Sequence, residues 1–177
     1  MKAIKRYLTT VGTFLWSRSD EYIKNIQCVI ELIANADRIL ICGNGGSAAT
    51  AIHMATDFEK NLNLKAYSLV SNTALMTAYS NDFEYDDIFA LQLYKFDLTN
   101  RDLVIAISGS GNSQNVINAI NYANTLGAKT LSFTGYDGGM LRKISNYNIN
   151  VPLDNMQMIE DIHSMLNHII VYSLMEE

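Results

Sequence analysis

Leu103-Val104-Ile105-Ala106-Ile107 runs without a break into Ser108-Gly109-Ser110-Gly111-Asn112-Ser113, and then into Gln114-Asn115-Val116-Ile117-Asn118-Ala119-Ile120. An apolar run, a tight polar turn and a segment of helical spacing read as strand, loop and helix. The glycines allow positive φ and close approach of the backbone, while the hydroxyls and the first free N–H groups of the helix face outward. Such a loop suits a phosphate. By itself it equally fits an ordinary strand-to-helix turn with a serine cap.

The same pattern occurs earlier. Arg38-Ile39-Leu40-Ile41-Cys42 is a short apolar strand, and Gly43-Asn44-Gly45-Gly46-Ser47 turns it into a helix from Ala48 to Asn61. Two such units in one chain predict two loops facing a common ligand at the carboxyl end of a parallel sheet. Neither loop has the glycine spacing of a dinucleotide fingerprint or the Lys-Ser/Thr pair of a nucleotide P-loop, so no nucleotide cofactor is expected.

Outward from these units, Ile4, Tyr7, Leu8, Val11, Phe14 and Leu15 predict a first amphipathic helix, and Ile23, Ile26, Val29, Ile30 and Ile33 a second, capped by Ser19 or Asp20. Strands follow at 65–70, 130–134 and 147–151, with helices at 74–79, 88–96 and 156–175 and an acidic polar loop at 80–87. Strands alternating with helices predict a parallel sheet covered on both faces. The 177 residues fit one domain, with 1–36 as oligomer-forming helices and 37–177 as the α/β core and final helix.

Composition narrows the function. A net charge of −5, with 13 scattered Lys and Arg, argues against nucleic acid, and no run is long enough for a membrane span. The polar interruptions Thr9, Thr10, Gly12 and Thr13 argue against a signal peptide, which predicts a cytoplasmic protein. Cys28 and Cys42 lack metal-ligand spacing and are expected as buried free thiols.

The histidines supply the remaining chemistry. His53 and Asp57 stand at i and i+4 and share a helix face, while Glu160 and His168 lie about two turns apart on the last helix. Two helices carrying imidazole and carboxylate could bind zinc or supply an acid and a base, and they equally fit solvated helix faces.

Taken together, Cys42-Gly43-Asn44-Gly45-Gly46-Ser47 with His53, Ser80-Asn81-Asp82-Phe83, the 107–113 loop, Thr134-Gly135-Tyr136-Asp137-Gly138-Gly139, and Glu160-Asp161-Ile162-His163 with His168 resemble the successive signatures of the sugar isomerase (SIS) domain family, in its phosphoheptose isomerase branch. The resemblance implies a flavodoxin-like α/β/α domain with a five-stranded parallel sheet, assembled as a homotetramer. It implies that Ser108, Gly109, Ser110 and Ser113 hold a sugar phosphate, and that Asn44, Gly45, Gly46, Ser47, Asn81, Asp82 and Glu160 contact the substrate. Asp57 and His168 fall at the catalytic positions, and His53, Asp57, Glu160 and His168 at positions that bind zinc in some members. The implied reaction interconverts sedoheptulose 7-phosphate and its aldose through a cis-enediol.

Three positions depart from that pattern. Asp57 stands for the family's Glu, which withdraws the carboxylate by on the order of 1.5 Å, one carbon–carbon bond. Glu160 stands for Gln, and Gly109 for a hydroxyl residue. An Arg expected after Asp57 is missing, with Lys60 as the nearest substitute. The fold also includes non-catalytic phosphosugar-binding regulators and a branch that binds the bacterial replication initiator. Retention of Asp57 and His168 favours the isomerase.

Overall fold

The computed structural model describes residues 1–176. Two helices, α1 (Lys2–Trp16) and α2 (Asp20–Ala34), precede β1 (Arg38–Gly43), α3 (Gly46–Leu62), β2 (Ala66–Ser68), α4 (Thr73–Asp82) and α5 (Ile88–Leu93). Then come β3 (Asp102–Ser108), α6 (Gln114–Thr125), β4 (Lys129–Gly135), α7 (Leu141–Ile144), β5 (Tyr147–Val151) and α8 (Met156–Glu176). The strands form one parallel sheet in the order β2-β1-β3-β4-β5. This is the expected doubly wound, flavodoxin-like order, whose direction of winding reverses between β1 and β3.

Strand alternation divides the core. Ile39 and Ile41 of β1, with Leu103, Ile105 and Ile107 of β3, face a layer built from α1, α2, α3 and α8. Leu40, Cys42, Val104 and Ala106 face α5 and α6. Both sides of β3 are buried along its whole length, which explains why its sequence is a continuous apolar run instead of an alternating one. At its start, Arg38 donates two 2.7 Å hydrogen bonds to Asp102. Burial pushes the Asp102 carboxyl up, but Arg38 and the Thr99 amide and hydroxyl outweigh it and hold it below the usual range. The pair locks β1 and β3 in register.

Several boundaries differ from the expected ones. The strand at 65–70 shortens to Ala66–Ser68, because it is an edge strand paired only with β1. Residues 80–82 continue α4 and 85–87 form a single 3₁₀ turn, so the polar loop is largely helical. The short α7 has no signature in the sequence, because four residues are too few to show a period. Cys42 is buried as expected, with its thiol pushed up to about 12 by burial, but Cys28 is exposed. Cys28 lies beside, not on, the stripe Val29, Ile30 and Ile33 that α2 buries. Among the described residues, no helix is long and apolar enough to cross a membrane.

Candidate active site

The loops after β1 and β3 meet at the reversal point and enclose a cavity of about 240 Å³. Asn44, Gly45, Gly46 and Ser47 line one side and Ser108, Gly109, Ser110 and Ser113 the other, with Met156 and Glu160 of α8 closing it. Close approach is built in: a Cβ on Gly43 would meet the carbonyl oxygens of Ile107 and Ser47, each at 2.8 Å. Ser113 caps α6, but its hydroxyl bonds no backbone N–H there and instead lies 3.4 Å from that of Ser108. Gly45, at the cap of α3, has no side chain to offer. The N-termini of α3 and α6 thus open on one cleft with hydroxyls around it, an arrangement suited to an anion.

The serine loop is held from outside. The Gly135 amide donates to the Gly109 carbonyl at 2.9 Å, the Leu141 amide to that of Gly111 at 3.0 Å, and the Met140 amide to Asn112 Oδ1 at 3.0 Å. The segment from Gly135 to Leu141 therefore acts as a buttress for the loop. Asn44 is tied to the buried Asn115 by reciprocal amide bonds of 2.8 and 3.0 Å and accepts from the Tyr85 hydroxyl at 3.0 Å. Asn81 and Asp82 lie exposed on the last turn of α4, bonded to each other at 2.9 Å and outside the cavity lining.

A second group lies further along α3 and α8. His53 Nε2 and His168 Nε2 are 2.9 Å apart, and Asp57 Oδ2 is 3.3 Å from the former and 3.9 Å from the latter. Asn167 donates to the same carboxylate oxygen at 2.8 Å, and Asn61 to the other at 3.3 Å. Potential ligand atoms of His53, Asp57 and His168 all lie within 4.8 Å of one another. Their separations bracket the roughly 3.3 Å expected between ligands at a tetrahedral zinc with bonds of about 2.0–2.1 Å, so the donor set fits that ion.

Glu160 does not join this group. Its carboxylate lies against Gly46, where a Cβ would come within 2.3 Å of Oε2. Eight residues separate Glu160 from His168, which is about 12 Å of helix rise, so the two cannot meet at one ion on the same helix. Among the described residues, the ion-pair partners of Asp57 are His53 and His168.

Against this geometry, a family model described as the SIS domain matches residues 4–135. The chain belongs to the SIS-domain family. Within it, the chain is 40% identical over 161 residues to a phosphoheptose isomerase of Helicobacter pylori (strain Shi470), covering 88% of this chain and 83% of the relative. It is 35% identical over 175 residues to that of Aliarcobacter butzleri (strain RM4018), covering 94% and 92%. The solved phosphoheptose isomerase of Neisseria gonorrhoeae superposes with a TM-score of 0.90 at 28% identity, covering 98% of each chain. These likenesses place this SIS domain in the phosphoheptose isomerase branch.

The SIS motif that ends at His163 contributes to the core rather than to the reactive group. His163 is 1% exposed, with Nε2 donating to the Thr134 carbonyl at 3.1 Å, and burial pushes its imidazole down to about 4. The unfolded chain takes up this proton near pH 6.5 and the native one only near 4. The associated stability is therefore full above 6.5 and is lost as pH falls towards 4. Between pH 7 and 5, urea unfolding should show a loss of about 2 kcal/mol from this group. His163→Leu should flatten that part of the pH dependence; an unchanged slope would refute the assignment.

Proposed function

We propose that this SIS-domain protein is a cytoplasmic, homotetrameric isomerase that interconverts sedoheptulose 7-phosphate and the corresponding aldose heptose 7-phosphate. The observation that carries the reading is the pairing, within one chain, of a hydroxyl-rich cradle at two helix N-termini with a carboxylate and two imidazoles. The cradle holds the phosphate by Ser108, Ser110 and Ser113 and the backbone of Gly109, with Asn44, Gly45, Gly46, Ser47 and Glu160 towards the sugar. Asn81 and Asp82 complete the substrate contacts from α4, outside that cavity lining.

Asp57 takes a proton from C1 of the ketose while His168 protonates the C2 oxygen, giving the cis-enediol. His168 then takes the proton of the C1 hydroxyl as Asp57 returns its own proton to C2. Imidazole suits both directions because its ordinary pKa lies near neutrality. In a metal-loaded form, His53, Asp57 and His168 would instead hold a zinc ion, which would supply Lewis-acid polarisation of the sugar oxygens in place of proton transfer by the ligating atoms.

The cradle and the reacting groups belong to facing copies. From Gly46 to His53 is about 10 Å of helix rise, and the His53 and His168 side chains are 52% and 60% exposed. Around them Ile52, Met165, Ile169 and Tyr172 are also exposed, as are Ile4, Leu8 and Trp16 of α1. An apolar surface flanking half a site fits burial against another copy of the chain.

The deciding experiment follows purified protein with sedoheptulose 7-phosphate by NMR, with metal content measured on the same sample. Aldose formation is expected. Binding without turnover, with or without zinc, would instead indicate a phosphosugar-binding regulator. Glu160 gives a second test, since its carboxylate stands beside the site assigned to a phosphate. Replacing it by the neutral amide removes a repulsion of about 1 kcal/mol. Glu160→Gln should lower KM about three- to tenfold, and an unchanged or higher KM would remove Glu160 from the cleft's electrostatics.

A further inference from the structure

Asn167 occupies a place where its chemistry needs a reason. The buried face of α8 is Met158, Ile159, Ile162, His163, Leu166, Asn167, Ile170 and Val171, so Asn167 stands in an apolar stripe and is 0% exposed. Its Nδ2 donates to Asp57 Oδ2 at 2.8 Å, while its Oδ1 is buried with no partner. The amide orientation is dictated by that contact: turned over, the carbonyl oxygen would face a carboxylate that has only lone pairs to offer. A buried half-satisfied amide is poorer packing than leucine, and such residues persist where they orient something.

We propose that Asn167 is a positioning residue that fixes the Asp57 carboxylate for proton transfer, an inference that rests on the isomerase reading. Asp has two side-chain torsions, and rotation about either would swing the carboxylate away from His53 and His168. Asn167 grips Oδ2, the oxygen that faces both imidazoles, from the opposite helix. Asn61 takes Oδ1 from one turn further along α3. The two amides leave the carboxylate a single orientation, and Asn167, being buried, is the rigid one of the pair.

The test compares Asn167→Leu and Asn167→Gln with the parent. A misplacement of about 1 Å costs on the order of a hundredfold, so Asn167→Leu should lower kcat about 10- to 100-fold. KM should stay within about threefold and Tm should be unchanged or higher. Asn167→Gln, which keeps the donor, should recover a large part of kcat. A kcat within about twofold of the parent for Asn167→Leu, or a fall matched by loss of fold in both variants, would overturn the proposal. The side-chain amide of Asn167 gives a readout independent of turnover: its proton resonance should lie downfield in the parent and move upfield in Asp57→Ala. If the parent shows no turnover but this shift is seen, the isomerase reading fails while the grip on Asp57 stands. An unshifted amide overturns the grip itself.

Discussion

Asp57→Asn should lower turnover of sedoheptulose 7-phosphate by about 10²- to 10⁴-fold while leaving sugar phosphate binding within a few-fold of the parent. The amide cannot accept a proton from C1, and general-base contributions alone are typically worth 10²–10⁴ in rate. The phosphate cradle lies about 10 Å of helix rise away and does not use Asp57, so affinity measured by calorimetry should persist. Retained turnover would remove Asp57 from the role of base. The same variant tests the shared site. Ser110→Ala should weaken phosphate binding, and each variant alone should be nearly inactive. Co-refolded mixtures should regain part of the parent activity, because some interfaces then pair an intact cradle with an intact Asp57. Mixtures no more active than their components would place both halves in one subunit.

Gly111→Ala should be the most damaging small substitution in the cradle. Gly111 has φ of +66°, and a Cβ there would lie 2.1 Å from the Gly138 carbonyl oxygen and 2.7 Å from its carbon. The left-handed backbone costs about 1–2 kcal/mol for a residue with a side chain, and the clash is with backbone that itself buttresses the loop. A total of about 3 kcal/mol corresponds to a Tm lower by roughly 6–12 °C for a chain of this size. Phosphate affinity should fall with it as residues 108–113 move. Gly127→Ala is the control: its φ is +74°, with nothing within 4 Å of an added Cβ. It should cost only the backbone preference and leave binding alone. Equal effects at the two sites would mean that the packing of Gly138 on Gly111 contributes nothing.

Part of the fold and of the site is legible in the sequence itself. The apolar runs at 38–42 and 103–107, each followed by a Gly/Ser/Asn loop and a helix, determined the doubly wound sheet and placed both loops at one end, because strand direction and right-handed crossover leave little choice. His53 and Asp57 share a face because four residues make nearly one helical turn. Those are properties of spacing within a single element, which sequence carries directly.

What the tertiary structure decided lies between elements. The spacing of Glu160 and His168 allows one pocket by angle, but how α8 runs beside α3 puts Glu160 against Gly46 and His168 against His53. Asn167 reads as one polar residue in an apolar stripe; only the partner it meets, Asp57, gives it a purpose. The phosphate loop reads as self-contained, yet Gly135 and Leu141 hold its backbone, and Met140 the Asn112 side chain, from another strand's loop. A sequence period fixes the face on which a residue stands. The offset and rotation between packed helices fix which residue it meets, and these arise from side-chain interlocking across the whole core, which no local pattern contains.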